Sequence, residues 1–185
     1  HSQILPLGLH FVEIQNNDLP AFPNKQLSMS KAHHLVLGYN YKPSSLLNIK
    51  VEAYYQGLYH IPQGRSPENN VSSINIYWDL PELELVNEGK GRNYGIEMTV
   101  EKYLHNGYYF NAATSVYSSK FQAPDGNWYH TRFDGGFASS ITGGKDFRLS
   151  KRSNRSMGIH IKSICTGGLR QSPIDYARSL EKNET

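Results

Sequence analysis

Apolar and polar residues alternate at every second position through most of this chain, whereas apolar residues rarely recur at the i, i+3, i+4, i+7 spacing of a helix. From Leu35 the odd positions read Leu35, Leu37, Tyr39 and Tyr41, against His34, Val36, Gly38 and Asn40. Lys42-Pro43-Ser44-Ser45 signals a turn, because proline fixes φ and serine can bond its own backbone. The next segment carries Leu47, Ile49, Val51, Ala53, Tyr55 and Tyr59 on one side and Asn48, Lys50, Glu52, Tyr54 and Gln56 on the other. Arg92 to Leu104 alternates most cleanly, with Tyr94, Ile96, Met98, Val100 and Leu104 against Asn93, Gly95, Glu97, Thr99 and Glu101. The Asn106-Gly107 step suits a tight hairpin, after which Tyr108, Phe110, Ala112, Thr114 and Val116 resume the pattern. A weaker strand is expected over Phe133 to Leu149, and a last one around Met157, Ile159 and Ile161. The pattern predicts an all-β fold of about six to seven antiparallel up-and-down strands.

The connections sort by length. Long loops are expected near 12–30, 60–92 and 119–132, and short turns near 42–46, 105–107 and 150–156. A transmembrane barrel has this parity, short periplasmic turns at one rim and long extracellular loops at the other, with strands of about 9 to 11 residues crossing at a tilt. A soluble sandwich shares the alternation but has no reason to sort its loops. The reading is therefore part of a transmembrane β-barrel over 1–185, with the wet face of a wide barrel accommodating Lys50, Glu52, Glu97 and Glu101. In a sealed core those charges would be costly.

Composition fits without deciding alone. There are 13 Tyr residues in a chain only 38% hydrophobic, and Tyr39, Tyr41, Tyr55, Tyr59, Tyr94 and Tyr108 lie toward strand ends, where a ring can sit at headgroup level. Tyrosine also simply favours strands. The net charge of +3 is spread along the chain, so nucleic acid is not an expected partner. No apolar run approaches the roughly 20 residues of a spanning helix. Cys165 is alone, which excludes an intrachain disulfide framework or a cysteine zinc site. No signal-peptide pattern opens the sequence, and a start at His1 without Met reads as a processed or truncated chain.

Candidate chemistry dissolves on inspection. Gly89-Lys90-Gly91-Arg92-Asn93-Tyr94-Gly95 is glycine-rich, but a phosphate loop must leave a strand and open a helix, and this segment opens a strand. His33 and His34 are adjacent on a strand and point to opposite faces, so neither they nor His10 suggests a metal site. Asp79, Glu82 and Glu84 are spaced too closely for carboxylates facing across a cleft and read as a solvated acidic edge. No Gly-x-Ser-x-Gly elbow is present, and the acceptor patterns at Asn70 and Asn154 carry no function. No enzyme, cofactor or individual ligand contact is expected.

An ordered series of segments resembles the later barrel strands of TonB-dependent receptors of the Bacteroidetes type with a carboxypeptidase-regulatory-like N-terminal domain. The series is Lys31-Ala32-His33-His34-Leu35-Val36-Leu37-Gly38-Tyr39, Val51-Glu52-Ala53-Tyr54-Tyr55-Gln56, Gly91-Arg92-Asn93-Tyr94-Gly95-Ile96-Glu97 and Gly107-Tyr108-Tyr109-Phe110. It continues through Asp125-Gly126-Asn127-Trp128, Gly143-Gly144-Lys145-Asp146-Phe147 and Gly167-Gly168-Leu169-Arg170 to Ser172-Pro173-Ile174-Asp175. The resemblance implies a Gram-negative outer-membrane location, lipid around the barrel, further strands and a plug domain elsewhere in the full-length chain, and uptake of an unknown solute powered by the TonB complex. Two other readings share part of the pattern: a soluble β-sandwich carbohydrate-binding module using Trp78, Trp128 and loop tyrosines as stacking platforms, and a passive outer-membrane channel.

Overall fold

In the computed structural model, which describes residues 2–3, 7–16, 19–66, 71–76, 81–149 and 155–171, the alternating segments pair in sequence into one antiparallel sheet. In chain order the strands are β1 (Ser2–Gln3), β2 (Ile14–Asn16), β3 (Leu19–Ala21), β4 (Ser30–Ser44), β5 (Leu47–Gly64), β6 (Leu85–His105), β7 (Tyr108–Gln122), β8 (Trp128–His130), β9 (Phe137–Arg148) and β10 (Ser156–Thr166). The main sheet runs β1-β4-β5-β6-β7-β9-β10, with β8 added onto β7, while β2 and β3 form a separate hairpin. The all-β, up-and-down expectation holds, and the sheet does not close on itself among the described residues.

Register places the two predicted faces on two physical sides. Tyr39 pairs with Val51, Val51 with Met98, Met98 with Thr114, and Thr114 with Ser139. Paired residues share a face, so the apolar sets of successive strands form one continuous surface. Nothing among the described residues covers it: Leu35 is 72% exposed, Leu37 77%, Ile96 58%, Val116 62% and Ile161 70%.

The hairpins are staggered. Ser44, Leu47, Lys102, Phe110, Gly143 and Ile161 form one unbroken register row. The β4–β5 hairpin closes on that row at Ser44 and Leu47. The β6–β7 hairpin closes beyond it at His105 and Tyr108, three residues along β6 and two along β7, and the β9–β10 pairing ends five beyond it, at Arg148 and Ser156. The drift is slightly more than one residue per strand. With a rise of about 3.3 Å and a strand spacing of about 4.8 Å, strands whose turns lie in one plane are tilted by about 40° from that plane's normal.

Several boundaries differ from the sequence expectation. The stretch expected as loop over 60–92 is strand at both ends, because β5 reaches Gly64 and β6 starts at Leu85. His60 takes φ 55°, and the β5–β6 register shifts between Leu58 and Gln63. Pro62, which cannot donate a ladder hydrogen bond, is thus accommodated at an irregularity rather than ending the strand. Within 119–132, β7 runs to Gln122 and β8 turns back along it, so the irregular parts are the tip at 123–127 and the two residues after β8. The strand expected from Phe133 begins at Phe137, after a turn containing Gly136 at φ 78°. The 12–30 region holds the β2–β3 hairpin and a 3-10 turn at Pro23–Gln26. Asn106 and Gly107 have φ 52° and 78°, as the tight hairpin requires. Residues 150–154 of the last turn, Ser172 to Asp175, Asn70, Trp78 and Asp79 lie outside the described residues.

The buried residues gather at the long-loop rim. Leu9 and Leu85 pack with Leu27, Ile76 and Leu83, near where the segment before β4 is clamped to β6 by two asparagines. Asn24, fully buried, donates Nδ2–H to Leu83 O (2.9 Å) and accepts from Leu85 N (2.8 Å). Asn87 accepts from Ser28 N (2.7 Å) and donates to Ser28 O (3.1 Å) and His60 O (3.0 Å). Each amide acts as a piece of backbone, completing a ladder that has no strand to complete it. Replacing Asn24 with Ala leaves a buried donor and a buried acceptor unpaired, so Asn24→Ala is expected to cost about 2–4 kcal/mol. Denaturant unfolding checks this; a loss below about 0.5 kcal/mol would show that the clamp is not needed.

Candidate functional site

The face opposite the apolar one is polar, and its side chains bond across strands along the register rows. Glu101 accepts from Asn48 Nδ2 (3.1 Å) on β5 and Asn111 Nδ2 (3.0 Å) on β7. Asn93 donates to Gln56 Oε1 (2.8 Å) and accepts from Ser119 Oγ (2.7 Å), which in turn accepts from Thr131 Oγ1 (2.8 Å). Glu52 and Glu97 stand directly opposite each other, a destabilising pair unless compensated. Lys50 reaches Glu52 at 2.7 Å, and Ser115 Oγ donates to Glu97 at 3.4 Å. Further along, Tyr109 bonds His160 Nδ1 (3.1 Å), whose Nε2 lies 3.7 Å from Asp146. Gly95 leaves room for Tyr54: a Cβ there would come within 2.9 Å of the Tyr54 hydroxyl and 2.7 Å of the Val116 carbonyl oxygen. This face is a continuous polar surface in mid-sheet, suited to water or polar solutes.

At the long-loop rim a polar cleft of about 450 Å³ is lined by Asn75, Tyr129, His130, Arg132, Arg170 and Gln171. Asp134, buried beneath it, is the organising group. Its carboxylate contacts the His130 ring and accepts from Ser118 Oγ (3.2 Å), with Arg170 Nε at 3.9 Å. Asn75 Oδ1 accepts from Arg132 N (2.9 Å), and Arg132 O accepts from Arg170 N (2.8 Å), joining three connecting segments. Arginine and histidine beside tyrosine and amides suit a polar or anionic group.

The β7–β8 tip is set by Asp125. It accepts from the Tyr129 hydroxyl (2.6 Å), Asn127 N (2.8 Å) and Asn127 Nδ2 (3.0 Å). The Tyr129 hydrogen bond foremost, then those from Asn127, hold the Asp125 carboxyl below its ordinary value. The same bond raises Tyr129, because ionising the phenol would lose the donor beside a carboxylate.

The residues singled out from sequence do not assemble into one centre. His33 and His34 point to opposite faces, His33 toward the ring of Tyr59 (5.4 Å) and His34 toward Tyr54 (6.2 Å). His10 lies in the short helix α1 (Leu7–His10). Glu84 pairs with Arg65 at 2.8 Å, and Gly89 to Gly95 are interior to β6. Trp128 stacks under the Arg92 guanidinium at 4.2 Å. Among the described residues no three His, Cys, Asp or Glu side chains converge as a metal site would require. Sequence reasoning missed Asn75, His130, Arg132, Asp134 and Arg170, since only the folded connections bring them together.

The chain matches no known family, no curated protein and no solved structure.

Because Asp125 is depressed, its contribution to tip order is complete above its ordinary value of 3.8 and is lost as pH falls through the lower folded value. Tyr129 works in the opposite direction: its contribution is complete below 10.0 and is lost as pH rises through the raised folded value. Protection of the Gly126 to Tyr129 amides, taken relative to the intrinsic exchange rate at each pH, is expected to hold between these limits and to fall outside them. Asp125→Ala should lower it at neutral pH, and unchanged protection in that variant would show that the carboxylate does not hold the tip.

Proposed function

We propose that this chain is a segment of the wall of an outer-membrane β-barrel, with its apolar face against lipid and its polar face toward a wet lumen. The observation that carries the reading is the uncovered apolar face on strands staggered by about one residue each. A soluble sandwich would need a second layer over Leu35, Leu37, Ile96, Val116 and Ile161, and none is present among the described residues. Leaving large apolar side chains in water forfeits about 1.5–3 kcal/mol each. Lipid removes that penalty, and a tilt of about 40° lies within the range of spanning barrels.

The long-loop rim is then the extracellular side and the short-turn rim the periplasmic side. Tyr55, Tyr59 and Tyr94 on the apolar face mark the first boundary, and Tyr39, Tyr41 and Tyr108 the second, as interfacial rings do. The backbone groups along the edge of β4 past its short pairing with β1, and along the outer edge of β10, need partners in lipid, which further strands of a larger barrel would supply. Within this class we favour an energy-coupled receptor of the TonB-dependent type, on two grounds: the ordered resemblance of the strand segments, and strands of 18 and 21 residues that overshoot the membrane at one rim only. The cleft lined by Arg132 and Arg170 would lie on the outside, where a solute arrives.

Cell fractionation with an antibody against the 65–84 connection tests the reading. An outer-membrane band several times heavier than 21.0 kDa is expected, together with co-purification of the TonB periplasmic domain. A soluble band at the chain's own mass would overturn the barrel, and an outer-membrane band that ignores TonB would leave a passive channel. At the residue level, Ile96→Lys should cost about 2–4 kcal/mol in detergent-solubilised protein, against under about 1 kcal/mol for Glu97→Lys on the other face. Equal costs would contradict the face assignment.

A further inference from the structure

The apolar face changes character abruptly toward the long-loop rim. Leu35, Tyr55, Tyr94 and Ser118 form one register row on it. The next row on the same face reads His33, Gly57, Arg92, Lys120 and His130. The row after that contains Lys31 beside Tyr59, and Lys90 beside Gln122 and Trp128. Lys31, Lys90, Arg92 and Lys120 thus stand in the two rows past Tyr55 and Tyr94, and none of the four pairs with a carboxylate among the described residues. Arg92 lies over the Trp128 ring at 4.2 Å, with its Nε buried and without a hydrogen-bond partner. Two carboxylates lie nearby. Glu88 is exposed on β6, and Asp134 is already engaged by His130, Ser118 and Arg170.

We infer that this belt of Lys31, Lys90, Arg92 and Lys120 above the Tyr55–Tyr94 row binds phosphorylated headgroups of lipids in the surrounding leaflet. The inference rests on the barrel reading, which sets this face against lipid. Unpaired cations turned outward cost free energy beside hydrocarbon and gain it beside phosphate. Their place one and two register rows past the Tyr55–Tyr94 row is headgroup depth, where long lysine and arginine stems lie along the apolar wall and carry the charge outward. Arginine presents a planar fork suited to phosphate oxygens. Its stacking on Trp128 fixes the plane of that fork, so less ordering remains to be done on binding. The opposite end of the same face lacks the arrangement: its two cations, Lys102 and Lys145, both lie over the one Tyr108 ring, at 4.1 and 5.1 Å, and Lys145 also bonds Asn106 O at 2.9 Å. The two rims are therefore unequal, and the belt would favour the phosphate-bearing leaflet on the long-loop side.

The test uses the full-length protein carrying this segment, purified in a non-ionic detergent and titrated with a diphosphorylated diglucosamine lipid. The same lipid without its phosphates and inorganic phosphate are titrated in parallel, and bound lipid is counted by native mass spectrometry. The phosphorylated lipid should bind at least about tenfold more tightly than the dephosphorylated one. Removing three charges in Lys90→Gln/Arg92→Gln/Lys120→Gln should weaken it on the order of a hundredfold, about fivefold per cation. Lys90→Gln/Lys120→Gln, which disturbs no hydrogen bond, ion pair or ring contact described for these residues, should weaken it on the order of thirtyfold. Equal binding of the two lipids, or variants that bind as the parent does, would overturn the inference. Inorganic phosphate competing at micromolar concentration would also overturn it, in favour of a free-anion site. A protein that carries a detergent belt yet ignores phosphate fails this inference alone, whereas one that carries no detergent fails the barrel reading beneath it.

Discussion

The fate of one surface governs this structure: the apolar face that runs unbroken across β4, β5, β6, β7, β9 and β10. In a water-soluble sheet such a face is covered, and the cover supplies the core. Here the buried side chains sit at one rim, around Leu9, Leu85 and Asn24, while Leu37, Ile96 and Ile161 in mid-sheet are open. With neither face packed against a second layer among the described residues, the sheet is held by its backbone ladder and cross-strand pairs. The proposed barrel wall would supply the rest, hydrocarbon on one side and water on the other.

The other features follow from that division. The polar face can hold Glu52 opposite Glu97 because Lys50 and Ser115 compensate them and water reaches the rest. Cross-strand rungs such as Asn48–Glu101–Asn111 satisfy polar atoms with partners on the same row, which fixes register without a core. Beyond the apolar band the strands of one rim carry folded cover, where Asn24 and Asn87 stitch an irregular segment to β6. In the proposed barrel that rim would stand in water, where ordinary packing resumes.

The fold class was legible because side-chain alternation is a local property of strands. The face of every residue from Leu35 to Tyr41, and from Tyr94 to Val100, follows from counting by two. The ends of the strands were not legible. Pro62 and the glycines at 89 and 91 look like loop residues until a partner strand absorbs the irregularity, which is a tertiary fact. The rim chemistry was hidden for a related reason. His130, Asp134 and Arg170 meet only through connections of irregular shape, and Lys31, Arg92 and Lys120 share a belt only once three strand registers are known. His33 and His34 were separable from sequence alone, since adjacent strand residues cannot share a face.

The measurement that bears most directly on the central claim is quenching by lipids brominated in their acyl chains. Fluorophores would be attached to single cysteines at positions 96, 97, 98 and 99 of the membrane-reconstituted full-length protein, with Cys165 replaced by serine. Strong quenching at 96 and 98 with little at 97 and 99 is the predicted result, since Ile96 and Met98 share the apolar face. Uniform quenching, or none at any of the four positions, would contradict the assignment of that face to lipid.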